Sequence, residues 1–417
     1  MISKQPDVVV IGAGPSGCTV ATLLAQQGFS VQMLERDRFP RFHVGESLIP
    51  HTYDVLERLG LLDRMRASGF VKKHSVQFVS EQGRLSEPFY FSDYDPHARS
   101  QTWQVLRSEF DTLMMENARQ HGVEVHEGTR VLEVLMEGER AVGVRVQGEQ
   151  GPAREIHCQV VVDAAGQSGL IIDRLGLRKW DPDLKKAAIW TYWRGAKRET
   201  GKDEGSTIVM QTAGKKGWFW YIPLAGDLVS VGVVADHDYL FRNRASKDPT
   251  TIYFEEVDRC PGLIPRLEGA TQCEPMRTQK EYSYRASQAA GDGWVLVGDA
   301  FGFLDPLYSS GILLALQSGA LAADAIGDAL RAGDPSESRL RCWEADYVRG
   351  VDRMRRLVQA FYAGLNFGKL VRRHPEKKGL ITDILIGRLF HDELDQLWPL
   401  IDALQEEEHQ KEAMASG

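Results

Sequence analysis

The chain has 417 residues, 43% of them hydrophobic and 26% charged, with a formal net charge of -8. That length exceeds what one simple core absorbs and predicts interlocked domains, while the acidic balance argues against nucleic acid as a partner. Five scattered cysteines with no CxxC pair exclude a cysteine metal cluster and a disulfide framework, and fit a reducing cytoplasm.

The N-terminus enters a strand-like run, DVVVIGAG, almost at once, so no signal peptide is expected. No apolar run approaches the roughly 20 residues of a membrane span, so no membrane contact is expected. Residues 8–36 read VVVIGAGPSGCTVATLLAQQGFSVQMLER. A buried strand, Val8 to Ile11, meets Gly12, Gly14 and Gly17, then a helix closed by Gly28, then a second strand ending at Glu35. Gly12 permits the tight turn, Gly14 lets a pyrophosphate approach the backbone, and Gly17 allows close helix–strand packing. The unpaired N–H groups of the helix start would hold the phosphates, and Glu35 the ribose hydroxyls. No second strand–GxGxxG–helix unit follows, so a dedicated nicotinamide domain is not expected.

Residues 71–104 and 171–284 read as short alternating strands, among them STIVMQT and LVSVGVVAD. Within them lies GWFWYIPL, residues 217–224. On a strand Trp218 and Trp220 share one face and Phe219 and Tyr221 the other, with Pro223 ending it. Beyond residue 331 the apolar spacing turns helical, and a basic run (Arg353, Arg355, Arg356, Lys369, Arg372, Arg373, Lys377, Lys378) lies there. The organisation expected is α/β. A nucleotide-binding domain comprises 1–70, 105–170 and 285–330, a β-sheet substrate domain 71–104 and 171–284, and a helical C-terminal region 331–417.

Three further stretches, in order, resemble the flavoprotein monooxygenase superfamily: Arg107 in VLRSEFD, VVVDAAGQSG around Asp163 and Gly166, and WVLVGDAFGFLDP with Gly298-Asp299. The resemblance implies a glutathione-reductase-like, Rossmann-type fold and FAD as the dinucleotide. Asp299 would lie on its ribitol or ribose and Arg107 beside it. Ser16, Arg36, Ser47, Val131 and Ile312 would be further cofactor contacts.

Trp218-Phe219-Trp220-Tyr221-Ile222-Pro223 fits the WxWxIP motif of flavin-dependent halogenases, and the chain resembles that family in three other places. These are Gly45-Glu46-Ser47 within RFHVGESLIP, a lysine five residues before a strand phenylalanine, and DPLYSSGI at 305–312. The lysine spacing selects Lys73 over Lys72. The resemblance implies that FADH2 and O2, with chloride or bromide, yield hypohalous acid beside the flavin. Lys73 would deliver it to an electron-rich aromatic, and Ser309 would take part. Trp218, Trp220, Ile222 and Pro223 would partition flavin from substrate. The backbone of Ser310 and Gly311, at the positive start of an apolar helix, offers halide N–H donors; the same turn could instead hold the flavin's polar edge.

Tyr308 stands where tryptophan halogenases carry a glutamate, which points to the phenol- and pyrrole-type branch, with a substrate free or tethered to a carrier protein. Glu46 and His51 are candidates for the substrate base, with Glu46 equally a structural acceptor in its loop. A flavin reductase would supply FADH2, and the basic run would meet an acidic carrier or remain a solvated helix face. The alternative reading is an FAD-dependent aromatic hydroxylase or a geranylgeranyl-reductase-like oxidoreductase.

Overall fold

Valine-rich strands too apolar to face water on either side pair at the centre of a six-stranded sheet. Its order is Ala290–Gly291, Trp294–Leu296, Val160–Asp163, Val8–Ile11, Val31–Leu34 and Glu124–His126. Val8–Ile11 lies between Val160–Asp163 and Val31–Leu34, parallel to both, and all three are buried throughout. The structure, a computed structural model, describes residues 5–242, 244–365 and 367–416.

Helices Pro15–Gln26 and Gly311–Arg331 cross closely against this sheet. A Cβ at Gly319 would stand 2.8 Å from the Ser16 carbonyl oxygen, so only glycine permits that approach. The sequence expectation of no membrane-length apolar run needs correction. Gly311–Arg331 is long and apolar enough by composition, but 78% of its most apolar window is buried inside the protein, as in a core helix.

The second sheet has nine strands. Its path runs Gly302–Phe303, Arg277–Ala286, Arg178–Arg194, Leu228–Asp236, Gly217–Leu224, Thr207–Gln211, Ser75–Val79 and Phe89–Tyr90, with Thr271–Gln272 pairing off it. Strand alternation divides its side chains between two cores. Trp190, Tyr192, Trp218, Trp220, Ile222 and Val234 join the core shared with the nucleotide layer. Ile189, Phe219, Tyr221, Val231 and Val233 pack on the other side, with Ile252 and Tyr253 of helix Pro249–Asp258.

Two expectations are corrected here. Residues 171–284 are not only short strands, since Arg178–Arg194 runs for 17 residues with a register shift between Trp180 and Lys185. Pro223 does not end its strand, which continues to Leu224. The neighbouring strand Thr207–Gln211 pairs only as far as Tyr221, so the missing N–H of Pro223 leaves no bond unmade on that side.

The C-terminal region packs helices Glu344–Tyr362, Phe367–Arg373, Lys378–Ile386 and Trp398–Ser416. Most of the basic run is engaged in internal pairs, within this region or with the nine-stranded sheet. Arg353 is buried between Asp392, Asp395 and the Leu389 carbonyl, while Arg355 pairs with Asp181 and Arg356 with Asp402. Lys369 and Arg373 share Glu407, and Lys377 bonds Gln396.

Candidate functional site

The glycine turn builds an anion cradle. Gly12 has a φ of +96°, and a Cβ there would lie 2.6 Å from the Ala164 carbonyl oxygen. At Gly17 a Cβ would collide with the Gly12 carbonyl oxygen, whereas at Gly14 its nearest neighbour would be Arg41 at 3.8 Å. The turn is thus closed on the sheet side and open on the ligand side. No side chain caps helix Pro15–Gln26, which leaves its first N–H groups without a side-chain acceptor. Glu35 ends its strand as expected, but its carboxylate accepts from Ala13 N at 2.8 Å and Asp37 N at 2.9 Å. Arg36 beside it is exposed, 3.7 Å from Asp37. Thr129 N donates to the Glu35 carbonyl at 2.8 Å, and Val131 follows two residues on, buried in the strand Arg130–Glu137.

The Gly298-Asp299 turn follows strand Trp294–Leu296, and Gly298 abuts Ser16, where a Cβ would stand 2.6 Å from Oγ. Asp299 therefore sits beside the first helix. Burial pushes its carboxyl up to about 6, with Arg107 pulling the other way. Arg107 opens helix Arg107–Gln120 and clamps Asp111 with two bonds of 2.8 and 3.0 Å. Its third nitrogen donates to the Val44 carbonyl at 2.6 Å, fixing the loop that carries Gly45-Glu46-Ser47. An anion-ready helix end and a half-buried carboxylate, for which the described residues supply no side-chain hydrogen bond, fit a dinucleotide.

Glu46 is turned inward. Its carboxylate accepts from Tyr192 Oη at 2.5 Å and from Gly45 N at 3.3 Å. Burial raises its pKa, against the Tyr192 bond and Arg107. With both oxygens held, Glu46 acts as a brace between its loop and the nine-stranded sheet. His51 bonds Asp54 through Nδ1 at 2.8 Å and leaves Nε2 buried without a partner.

Lys73 ends strand Val71–Lys73, which pairs with Thr102–Gln104. Alternation sends Lys72 to solvent and Lys73 inward, where it is 2% exposed. Its Nζ donates to Ser47 Oγ at 2.8 Å and the Leu48 carbonyl at 3.1 Å. Ser47 Oγ is 3.0 Å from Thr207 Oγ1, which also accepts from Gln104 at 2.8 Å. These partners are neutral, and burial lowers the amine to about 7.

The two tryptophans lie 6.4 Å apart on the inner face, with Trp190 6.1 Å from Trp220. Trp220 crosses the neighbouring strand over Gly232, where any Cβ would enter its ring and stand 2.6 Å from the Trp190 Cβ. Trp220 donates to Ser230 Oγ and Trp218 to Tyr362 Oη, both at 3.0 Å. Ile222 and Pro223 continue the buried strand. Nearby, Ser309 adopts a φ of +55°, and Ser310, 1% exposed, precedes helix Gly311–Arg331. That helix also lacks a side-chain cap; Gly311 is exposed and Ile312 is buried. Its free N–H groups form a second anion-ready end.

Residues 5–349 match the family model described as an FAD binding domain. Tryptophan 2-halogenase of Chondromyces crocatus is 35% identical over 356 residues, 84% of this chain and 67% of its own. This chain belongs to the flavin-dependent halogenase family. A 1H-pyrrole-2-carbonyl peptidyl-carrier protein brominase of Pseudoalteromonas luteoviolacea is 32% identical, covering 79% of each chain. The solved flavin-dependent brominase Bmp2 superposes with a TM-score of 0.85 at 27% identity, over 98% of this chain and 100% of that one.

The protein is therefore a halogenating enzyme with a Rossmann-type FAD-binding fold, and FAD, halide and O2 are its cofactor and co-substrates. Several of the site's connections carry no sequence signature. Tyr192, Gln104 and Thr207 support Glu46 and Lys73, and Tyr362 reaches Trp218 from the C-terminal region.

Proposed function

We propose that this halogenase makes hypohalous acid at the flavin and that Lys73 delivers it to a phenol or pyrrole ring. The reading is carried by Lys73, a buried amine with neutral oxygen partners and a pKa near 7. Reduced FAD with O2 supplies the oxidising equivalents. Near neutral pH Lys73 exists in both forms, so it can donate a hydrogen bond to hypohalous acid or carry the halogen as a haloamine. A carboxylate partner would fix the ammonium form; Ser47 and Leu48 do not.

The uncapped start of helix Gly311–Arg331, at Ser310 and Gly311, is suited to hold halide, with Ser309 shaping the turn. The Trp218–Pro223 strand supplies the apolar wall through which only a small oxidant passes. In the nucleotide cradle, Gly12, Gly14, Ser16 and Gly17 would contact the pyrophosphate, Glu35 and Arg36 the ribose end, and Val131 the adenine side. Arg107 and Asp299 would flank the central portion, with Ile312 and Ser47 toward the ring.

Tyr308 in place of a carboxylate favours a ring that is already electron-rich, and the pyrrole brominase relative favours a carrier-borne substrate. A separate flavin reductase would provide FADH2. The C-terminal basic side chains are largely committed to internal pairs, so a carrier would be recognised elsewhere on the surface.

The test is direct. Purified protein is supplied with a flavin reductase, NADH, bromide, and either free phenols or carrier-bound pyrrole, and products are read by mass spectrometry. A bromine isotope doublet is expected. Hydroxylated or hydrogenated product formed equally without halide would overturn the reading.

A further inference from the structure

The turn leading to Ser309 is clamped at both ends by adjacent residues of helix Glu344–Tyr362. At one end Tyr362 Oη donates to Asp305, 3.2 Å from Oδ2 and 3.4 Å from Oδ1. At the other, the Phe361 ring meets Tyr308 edge-on at 6.4 Å. Between them Leu307 N donates to Asp305 Oδ1 at 2.9 Å, and Ser309 N to the Pro306 carbonyl at 3.1 Å. The same Tyr362 hydroxyl accepts from Trp218 Nε1. One side chain thus joins the tryptophan wall to the halide turn.

With Asp305 ionised, the donor directions follow from the groups. The indole N–H only donates, so the Tyr362 hydroxyl accepts it and gives its own proton to the carboxylate. Burial pushes the Asp305 carboxyl up to about 7, against the Leu307 N–H, Lys186 and the Tyr362 hydroxyl; Lys186 stands 3.9 Å over the Tyr362 ring and bonds Asp236 at 2.7 Å. Trp218 and Asp305 are buried and Tyr362 is half-buried, so an unmade bond within the chain leaves a polar atom poorly satisfied.

We propose that Asp305 and Tyr362 are positioning residues that hold the Ser309–Gly311 turn and Trp218 in one fixed relation, so that halide retention and closure of the wall are coupled. The inference rests on the halide reading of that turn. Neither residue is asked to touch halide or substrate. They set the backbone that does.

Tyr362→Phe removes only the hydroxyl and Tyr362→Leu removes packing as well, while Asp305→Asn reverses one donor. Bromide is titrated against the visible absorbance of the FAD-loaded protein, and separately against product per NADH in the coupled assay. Each variant should raise the half-saturating bromide concentration about fivefold, the effect of one net hydrogen bond, with FAD affinity unchanged and less product per flavin oxidised. Tyr362→Leu should also lower the melting temperature further than Tyr362→Phe does. The Tyr362→Phe/Asp305→Asn double variant should be no worse than either single one, because both break the same chain. Half-saturation within twofold of the parent, or effects that multiply in the double variant, would overturn the proposal. A parent that binds FAD yet shows no bromide response in either titration would overturn the halide reading and this inference together.

Discussion

Lys72 and Lys73 are chemically identical neighbours separated by strand alternation, one in solvent and one buried against Ser47 and Leu48. Lys73→Ala should lower halogenation about 100-fold or more, the scale of a positioned proton donor, while reductase-driven flavin oxidation persists. Lys72→Ala should stay near the parent, and equal losses in both variants would show the wrong lysine had been chosen. Burial also makes Lys73 a stability term. Its amine titrates at 10.5 in the open chain and at about 7 in the native one. Between those values the unfolded chain holds a proton the native state has lost, so stability rises with pH across that window and the cost is complete below it. Lys73→Met should therefore raise the melting temperature more at pH 6 than at pH 9. Equal gains at both pH values in thermal unfolding would show that the amine is not desolvated.

The Trp218–Pro223 strand depends on its neighbour as much as on itself. Gly232 is where the Trp220 indole crosses, with Trp190 on the far side. Gly232→Val should destabilise the protein by about 1–3 kcal/mol through overpacking and raise the peroxide released per NADH, measured by denaturant melts and peroxide assay. This element also shows how far sequence reading reaches. The alternation of Trp218 and Trp220 against Phe219 and Tyr221 and the glycine turn were legible because each is a period of two or a spacing within one segment, whereas Lys73 was singled out from Lys72 only by the family resemblance, and its burial was not foreseen. The Glu46–Tyr192 and Trp218–Tyr362 bonds span 146 and 144 residues, and nothing local marks either partner. Gly232 was invisible for a related reason, since the ring requiring it belongs to another strand. The end of the tryptophan strand was misplaced because Pro223 matters only where a partner needs its N–H, and pairing on that side has already stopped.

At the scale of the molecule, the C-terminal helices are tied inward by Arg353 to Asp392 and Asp395, by Arg355 to Asp181 and by Tyr362 to the sheet. The two large sheets are more deeply joined. The chain leaves the six-stranded sheet after Val31–Leu34, contributes Ser75–Val79 and Phe89–Tyr90 to the other, and returns at Glu124–His126. After Val160–Asp163 it departs for Arg178–Arg194 and comes back at Ala290–Gly291 and Trp294–Leu296, between Arg277–Ala286 and Gly302–Phe303. No single backbone scission can release either layer as an autonomous piece, so a nicked molecule should stay whole on a sizing column until denatured. Heating the flavin-loaded protein should accordingly give coincident curves for prosthetic-group release and loss of indole fluorescence. Two separated steps would mean that one layer survives without the other.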